Sequence, residues 1–461
     1  MRAKNFQRLG GFFLNTRDID MLRGSLWDKI ILFALPLALT GVMQQLLNAA
    51  DVMTLGKFVG KNAMAAVGNN ISLVGLIVSL LMGLSLGANV VIAQNIGAKK
   101  IDRAQSAVST AFILAGVSGI FFCVVGELLV TPIFYFLDVP KSVVEMAESY
   151  LRIFLLGLPA MSFYNFEAAI FRSKGDTRTP LIALTLASGV NIVLNLIFVL
   201  QFDFGVAGVA VATVLANIIS AIMLFCELLR SDGIIKLHLN ALHVDKDELK
   251  EIIRIGLPAG VQGMVFSLSN LLIQAAINSL GADAMAASAA AFTIEINVFC
   301  VVNGFGQAAT TFVGQNYGAG NLRRCKRATW VSMGLSALFM QTLCFVILFF
   351  AENVLSLFNE DPEVIRLGVI RLWYIVAPEL INVAMEGFSG AMRGYGISMT
   401  PAVITLICVC GTRVFWVFTA FRYIPTYETL MAVYPVSWLL TAIFLTAAYF
   451  YNVKRLKPAR A

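Results

Sequence analysis

The stretch LLNAADVMTLGKFVG, residues 46–60, follows IILFALPLALTGVMQQ, which is apolar enough to enter a membrane. Asp51 therefore lies near the far end of a first apolar span. A charged side chain at the centre of a membrane helix costs roughly 2.5–3.5 kcal/mol on insertion scales, so such groups face a cavity or a partner. A carboxylate at this place has two uses. It takes up a proton or cation on one side of the membrane and releases it on the other, or it pairs at the interface with Lys57 or Lys61. Other polar groups inside apolar runs form a short set. Asn191 and Asn195 stand in GVNIVLNLIFVL, Thr213 in GVAVATVLAN, Glu295 in FTIEINVF, Asn382 and Glu386 in INVAMEGFSG, and Arg413 in CGTRVFWVF. Asn191 and Asn195 are one helical turn apart and share a face. Amides in lipid also serve as glue between helices, and an intramembrane Thr often bonds its own backbone. A buried Arg413 needs a counter-ion, which Glu386 or Glu295 could supply. Structural ion pair and coupling site are both open for these.

Charged residues make up 13% of the chain and apolar ones 59%, with mean hydropathy +0.81. A soluble chain carries about 25% charged residues. The deficit runs along the whole length, so a multi-pass membrane protein is expected rather than a soluble domain on one anchor. The start, MRAKNFQRLGGFFLNTRDIDMLRG, has no uninterrupted apolar core or cleavage site, and no cleaved signal peptide is expected. Six of the seven cysteines (Cys123, Cys226, Cys300, Cys344, Cys408, Cys410) lie in apolar runs and Cys325 in a basic loop. None has metal-ligand spacing, so buried structural thiols are expected and no metal. The two histidines, His238 and His243, fall in a polar stretch read as a solvated loop. With no H-E-x-x-H and no carboxylate pair, a membrane-embedded enzyme is disfavoured and no cofactor is expected beyond a coupling ion, H⁺ or Na⁺. The +7 formal charge does not imply nucleic acid, because topology explains where it sits.

Windows of about 20 residues give twelve spans: 30–52, 64–94, 104–127, 146–170, 180–201, 206–229, 252–278, 285–315, 328–350, 367–391, 401–422 and 430–452. One set of connections holds 26 of the 34 basic residues; the other holds Lys57, Lys61, Lys141, Arg366 and Arg422, with Arg152 and Arg371 at span starts. The positive-inside rule then places both termini in the cytoplasm, which needs an even number of spans. The expected organisation is a cytoplasmic tail 1–29, six spans in 30–229, a cytoplasmic linker 230–251, six spans in 252–452 and a cytoplasmic tail 453–461.

The chain repeats itself. FALPLALTGVMQQLLNAAD resembles IGLPAGVQGMVFSLSNLLI, with Pro36 opposite Pro258 and Asn48 opposite Asn270. GKNAMAA at 60–66 matches GADAMAA at 281–287, AQNIGA at 93–98 matches GQNYGA at 314–319, and FRSKGDTRTP at 171–180 matches MRGYGISMTP at 392–401. The offset stays near 221 residues. Six spans per half give both halves the same orientation. The fold class is therefore an all-α membrane protein of twelve transmembrane helices in two six-helix lobes, related by a parallel repeat with a cleft between them. This is a transporter architecture.

The Pro of span 1, the Asp near its end, the paired Q-N-x-G-A motifs and the paired R-x-x-G-x-x-x-x-P motifs resemble the multidrug and toxic compound extrusion family of prokaryotic type, over roughly residues 22–455. The resemblance implies proton- or sodium-coupled export of amphipathic, often cationic, compounds from a multi-pass protein of the cell membrane, here expected as a monomer. It implies that Asp51 is the ion- or proton-binding carboxylate of the first lobe, with Asn191, Asn195 and Thr213 around it. The repeat counterpart of Asp51 is Leu272 or Ile273, so the shared scaffold does not require the acid. Some family members carry sodium-binding acids in span 7, but residues 258–282 hold none.

Glu167 follows Pro159 as Glu386 follows Pro378, by eight residues, and is expected to pair with Arg172 or Lys174 at the basic end of span 4. Gly97 and Gly318 suit helix C-terminal caps, followed by basic residues that complement the dipole; the Q-N-x-G-A motifs are read as structural and gating elements. The 34 Phe and 17 Met suit a cavity for varied apolar cations, although lipid contact and packing account for most of them. A flippase for a lipid-linked sugar is the nearest alternative. It requires a strongly basic cleft, and Arg413 is the one clear intramembrane cation in the sequence.

Overall fold

The computed structural model describes residues 19–136, 141–231 and 233–456. The expected tails at 1–18 and 457–461, and the side chains of Lys61 and Lys141, lie outside the described residues. No strand occurs among the described residues. In a bilayer the helix satisfies each backbone group within one segment, and the apolar runs of this chain leave no other choice.

The first half consists of α1 (Trp27–Phe58), α2 (Lys61–Gly97), α3 (Ile101–Phe136), α4 (Lys141–Leu156), α5 (Leu158–Lys174), α6 (Arg178–Leu200) and α7 (Gly205–Arg230). The second contains α8 (Lys246–Asn278), α9 (Ala282–Gly318), α10 (Leu322–Phe349), α11 (Pro362–Ile375), α12 (Glu379–Gly394), α13 (Met399–Thr405), α14 (Thr412–Phe418) and α15 (Val433–Arg455), with short helical turns at Ala351–Leu355, Ala420–Tyr423 and Tyr427–Met431 between them. Among the described residues ten helical segments are long and apolar enough to cross a membrane; α4 and α5, bent by 46° around Gly157, make an eleventh. The expected span 367–391 is α11 and α12, broken before Glu379 at Pro378, where the missing N–H and the ring end helical bonding. Together α11 and α12 carry Arg371, Glu379, Glu386 and Arg393, so hydropathy alone underrates them. A π-helical turn, Leu406–Gly411, joins α13 to α14 within span 11.

The expected linker is shorter in structure. α8 begins at Lys246, where the Asp245 carboxylate accepts the N–H groups of Asp247 and Glu248 as an N-cap. The stretch before it docks on α3: the His243 N–H donates to Ser109 Oγ and the Asp245 N–H to Thr110 Oγ1. His238 and His243 are exposed, as expected. Cys300, Cys325 and Cys344 are buried and the other four cysteines half-buried. Cys325 is thus not in a loop; it faces the core from the first turn of α10.

The halves meet backbone to backbone. Gly83 and Gly87 on α2 face Gly256 and Gly260 on α8, and a Cβ at Gly83 would fall on the Gly260 backbone. Two facing small-x-x-x-small pairs let membrane helices approach closely, where van der Waals packing and weak Cα–H···O contacts do the holding. At the end of the bundle carrying the basic loops, Gly97 lies against the Gln315 carbonyl and Gly318 against the Gln94 carbonyl. These glycines are not the left-handed caps expected. The caps are Lys99 (φ 57°) and Gly320 (φ 72°), each followed by a Schellman bond, Lys100 N–H to Asn95 O and Asn321 N–H to Asn316 O. Gly97 and Gly318 are glycines because the other half occupies the space of a Cβ.

The Q-N-x-G-A side chains tie the same end. Gln94 Nε2 donates to the Gly394 carbonyl at 2.8 Å, and Gln315 Nε2 to the Ser173 carbonyl at 2.7 Å. The motif of each half thus holds the R-x-x-G segment of the other half across the seam. Asn89 Nδ2 donates to Thr311 Oγ1 at 2.9 Å in the same seam. A Cβ at Gly97 has no room, whereas one at Gly68 meets nothing within 4 Å. Gly97→Ala is expected to lower the melting temperature in detergent by about 2–5 °C, from an overpacking cost of about 1–3 kcal/mol. Gly68→Ala should stay within about 1 °C, and equal melting of the two would contradict the close seam.

Candidate functional site

Two polar sites are built inside the apolar body. The first lies wholly in the first half, where α1 packs against α6 and α6 against α7. α1 continues to Phe58, so Asp51 stands about two turns inside its end. It is 6% exposed, and Asn191 and Asn195 are 2% and 1% exposed. Asp51 Oδ1 accepts from Asn195 Nδ2 at 2.6 Å and Oδ2 from Thr213 Oγ1 at 3.0 Å. With its amide turned so that donors meet acceptors, Asn191 donates to Asp51 Oδ1 at 3.2 Å and accepts from the Thr213 N–H at 3.2 Å. The Asn195 Oδ1 is buried without a partner. The structure therefore brings together all four residues that sequence grouped here. Lys57 is not the partner of Asp51; it is exposed and lies over the Phe58 ring.

The arrangement suits chemistry at the carboxylate. An ionised Asp is an acceptor only, and three donors from two other helices converge on it. Thr213 Oγ1 is also 3.0 Å from the Val209 carbonyl of its own helix. Its single hydroxyl proton serves either the carboxylate or that carbonyl. When it turns to Val209, Oγ1 is free to accept from a protonated Asp51. The Asp51 carboxyl thus has a pairing at Thr213 in both protonation states.

The second site is a cavity of about 550 Å³ between the halves, lined from α1, α2, α5, α8, α9, α11, α12 and α15. The Asp51 cluster does not line it. One face of α12 supplies half of the charged lining: Glu379, Asn382, Glu386 and Arg393 recur at spacings of three, four and seven and point one way. Glu295 on α9 forms a bidentate ion pair with Arg371, Nε to Oε1 at 2.7 Å and Nη2 to Oε2 at 2.9 Å. Both side chains are under a tenth exposed. Glu386 lies 3.7 Å from Arg393, whose Nη2 donates to Gln262 Oε1 at 2.9 Å.

Several expectations need correction. Neither Glu295 nor Glu386 is the counter-ion of Arg413. Arg413 is fully buried, donates to Asn270 Oδ1 at 2.6 Å, and lies 4.7 and 5.1 Å from the Tyr434 and Phe266 ring centroids. A neutral amide and two π faces hold the guanidinium instead of a carboxylate. Glu167 does not pair with Arg172. Five residues apart on one helix, the two point about 140° away from each other. Arg172 Nη1 donates across the seam to Gln307 Oε1 at 2.8 Å, while the Glu167 Oε2 is buried unbonded. At the 221-residue offset of the R-x-x-G motifs the mate of Glu386 is Asn165, not Glu167, and Asn165 and Glu386 both line the cavity. Sequence reading also missed Arg371, Glu379 and Arg172 as cavity residues. Arg371 and Arg172 stood at apparent span ends, where a charge is ordinary, and Glu379 stood inside the expected span 367–391. The signal available was the i, i+3, i+7 recurrence of Glu379, Asn382 and Glu386.

Comparison with known proteins returns the MatE family model twice, over residues 36–197 and 258–419. The two copies start at Pro36 and Pro258, the prolines paired by the internal repeat. The chain is 28% identical to "Probable multidrug resistance protein YoeA" of Bacillus subtilis over 404 residues, covering 85% of this chain and 86% of that one. It is 29% identical to "Probable multidrug resistance protein NorM" of Thermotoga maritima, covering 86% of each. The fold is similar to a crystal structure of "MATE in the straight conformation", with TM-score 0.88 and 22% identity over 95% of this chain and 98% of that chain.

The Glu295–Arg371 pair gives a test of its own. Breaking a buried pair leaves an uncompensated charge, so Arg371→Met alone should destabilise by about 3–5 kcal/mol in reversible unfolding from detergent micelles. Adding Glu295→Leu should recover most of the loss. A double variant as unstable as the single one would show that the pair is not the unit.

Proposed function

The chain belongs to the MatE family, and on that footing we propose that it is a secondary antiporter exporting small amphipathic molecules in exchange for H⁺ or Na⁺. The observation that carries the coupling is the Asp51 cluster: a buried carboxylate tying α1 to α6 and α7, with a pairing at Thr213 in each protonation state. Protonation removes an acceptor and adds a donor. The link from α1 to Thr213 then reverses its direction, and the packing of α1 against α6 and α7 changes with it. The same oxygens, Asp51 carboxylate, Asn195 Oδ1 and Thr213 Oγ1, are of the kind that hold Na⁺. The cluster sits outside the cavity, so ion and cargo are bound in separate places and communicate through α1, which lines the cavity at Leu37, Thr40 and Gln44.

The orientation follows from charge. The seam at Gly97 and Gly318 adjoins the basic loops GAKKIDRA and GNLRRCKRA, which the positive-inside rule assigns to the cytoplasm. This conformation is then closed toward the cytoplasm by the Gln94, Gln315 and glycine contacts, and alternating access requires them to part. Rocking of two parallel repeats about a fixed central site is the motion such a seam permits.

The exchange is tested with the full chain in liposomes under an imposed pH or Na⁺ gradient, reading movement of a fluorescent cationic dye. Asp51→Asn should reduce gradient-driven transport to the rate of protein-free liposomes. Thr213→Val, which keeps the shape but removes the exchangeable proton, should lower it about tenfold, the size of one lost hydrogen bond to a charged group. Wild-type rates with normal ion dependence in Asp51→Asn would remove this carboxylate from the coupling.

A further inference from the structure

The charges facing the cavity are not those of a trap for a simple cation. Among the described residues, three glutamates (Glu295, Glu379, Glu386) and three arginines (Arg172, Arg371, Arg393) line it, with no aspartate or lysine. Arg413 stands behind the wall, in contact with the lining residues Asn270, Phe266 and Tyr434. Two of these charges cancel in the Glu295–Arg371 pair, and Glu386 faces Arg393. What remains is Glu379 from the second half and Arg172 from the first, with Arg413 behind the wall.

Glu379 is 3% exposed and its Oε2 has no partner. It opens α12 on the face that lines the cavity, one turn from Asn382. Among the described residues no arginine is bonded to it; the neutral Asn382 amide is its hydrogen-bond partner, and its charged neighbours are Glu295 and Glu386. Among the same residues Arg172 bonds the neutral Gln307 amide through Nη1, and its Nε–H is unbonded. Its repeat mate Arg393 has an unbonded Nε–H as well. The R-x-x-G motif therefore sets two guanidinium groups at the basic end of the cavity, and the second half alone adds acids. A buried charge without a partner is expensive, and a ligand of opposite charge relieves it. A lipophilic monocation would relieve Glu379 and leave Arg172 and Arg413 uncompensated. Nine amides, Gln44, Gln45 and Gln262 among them, line the same space, so the wall is built for hydrogen bonding as much as for apolar contact.

We infer that the cargo of this cavity is amphoteric: a small molecule with a cationic centre received beside Glu379 and a carboxylate or other anionic group received at Arg172. This rests on the exporter reading of the same cavity and narrows its cargo. The mode of recognition is ordinary charge-assisted hydrogen bonding, with the guanidinium fork suited to a planar anion.

A matched pair of dyes tests it. Rhodamine 110 is a zwitterion with a free carboxylate; rhodamine 123 is its methyl ester and a plain cation. Their Kd values for the full-length protein in detergent are read by fluorescence anisotropy with no gradient present. The acid should bind about tenfold or more tightly than the ester, the value of one charge-assisted hydrogen bond. Arg172→Gln should bring the two Kd values to within about twofold, by loss of acid binding alone, while Arg172→Lys keeps a preference for the acid. Glu379→Gln should weaken both dyes together. An ester that binds as tightly as the acid in the wild type would overturn the inference, as would a ratio unchanged in a folded Arg172→Gln. Liposome transport separates the two readings. If the acid binds preferentially but no gradient moves it, the exporter reading fails alone; if gradient-driven export favours the ester, the amphoteric cargo fails alone.

Discussion

The two halves of this protein are held by close approach of one backbone to another. Lipid supplies no hydrophobic force between helices, so the seam relies on contact area, and contact area requires small residues. Gly83, Gly87, Gly256 and Gly260 bring α2 onto α8, and Gly97 and Gly318 each admit a carbonyl of the opposite half. Everything else is arranged around that line. The cavity exists because the helices diverge from it, and the amides of the Q-N-x-G-A motifs find their partners because the backbones are already close. The side chains of Asn89, Gln94, Gln315 and Arg172 then reach across it to bond the opposite half.

On this symmetric frame the charges are placed asymmetrically. Asp51 has Leu272 or Ile273 as its repeat counterpart, and Glu386 has Asn165. The first half keeps its acid away from the cavity, in a pocket of amides and a hydroxyl. The second half turns its acids into the cavity and matches two of them with arginines. The family to which the chain belongs supplies the frame; the distribution of charge on that frame is what distinguishes one cargo or coupling scheme from another. A cavity with as many arginines as glutamates on its walls is a chemical statement that the fold does not make.

Much of this was legible in the sequence. Hydropathy located the spans, charge gave their parity, and the repeat gave the two lobes, because each of these properties is local or periodic. The grouping of Asp51 with Asn191, Asn195 and Thr213 came from family resemblance laid over residues that were already conspicuous in apolar surroundings. What escaped was set by partners distant in the chain. Arg371 looked like an ordinary charge at a span end until Glu295, seventy-six residues earlier, proved to be its partner, and Glu379 lines the cavity from the break at Pro378. Arg413 was assigned a carboxylate partner because charge suggests charge, whereas an amide and two aromatic rings do the work. Gly97 and Gly318 looked like caps because a helix end was the nearest explanation. Their actual constraint lies in the other half, more than two hundred residues away, where no local rule can see it.

That separation bears on how the protein is made. The helices of the first half enter the bilayer before α8 and α9 have been synthesised, since chains are built from the N-terminus. During that interval Gln94 and Asn89 have no Gly394 or Thr311 to bond. The glycine faces of α2 meet lipid, while Asp51 is already bonded by its own half. The nascent first lobe is thus bonded at its Asp51 pocket and unfinished along its seam. Synthesis of the second lobe is then an assembly step, in which an awaiting membrane surface is joined by the surface it was duplicated to match.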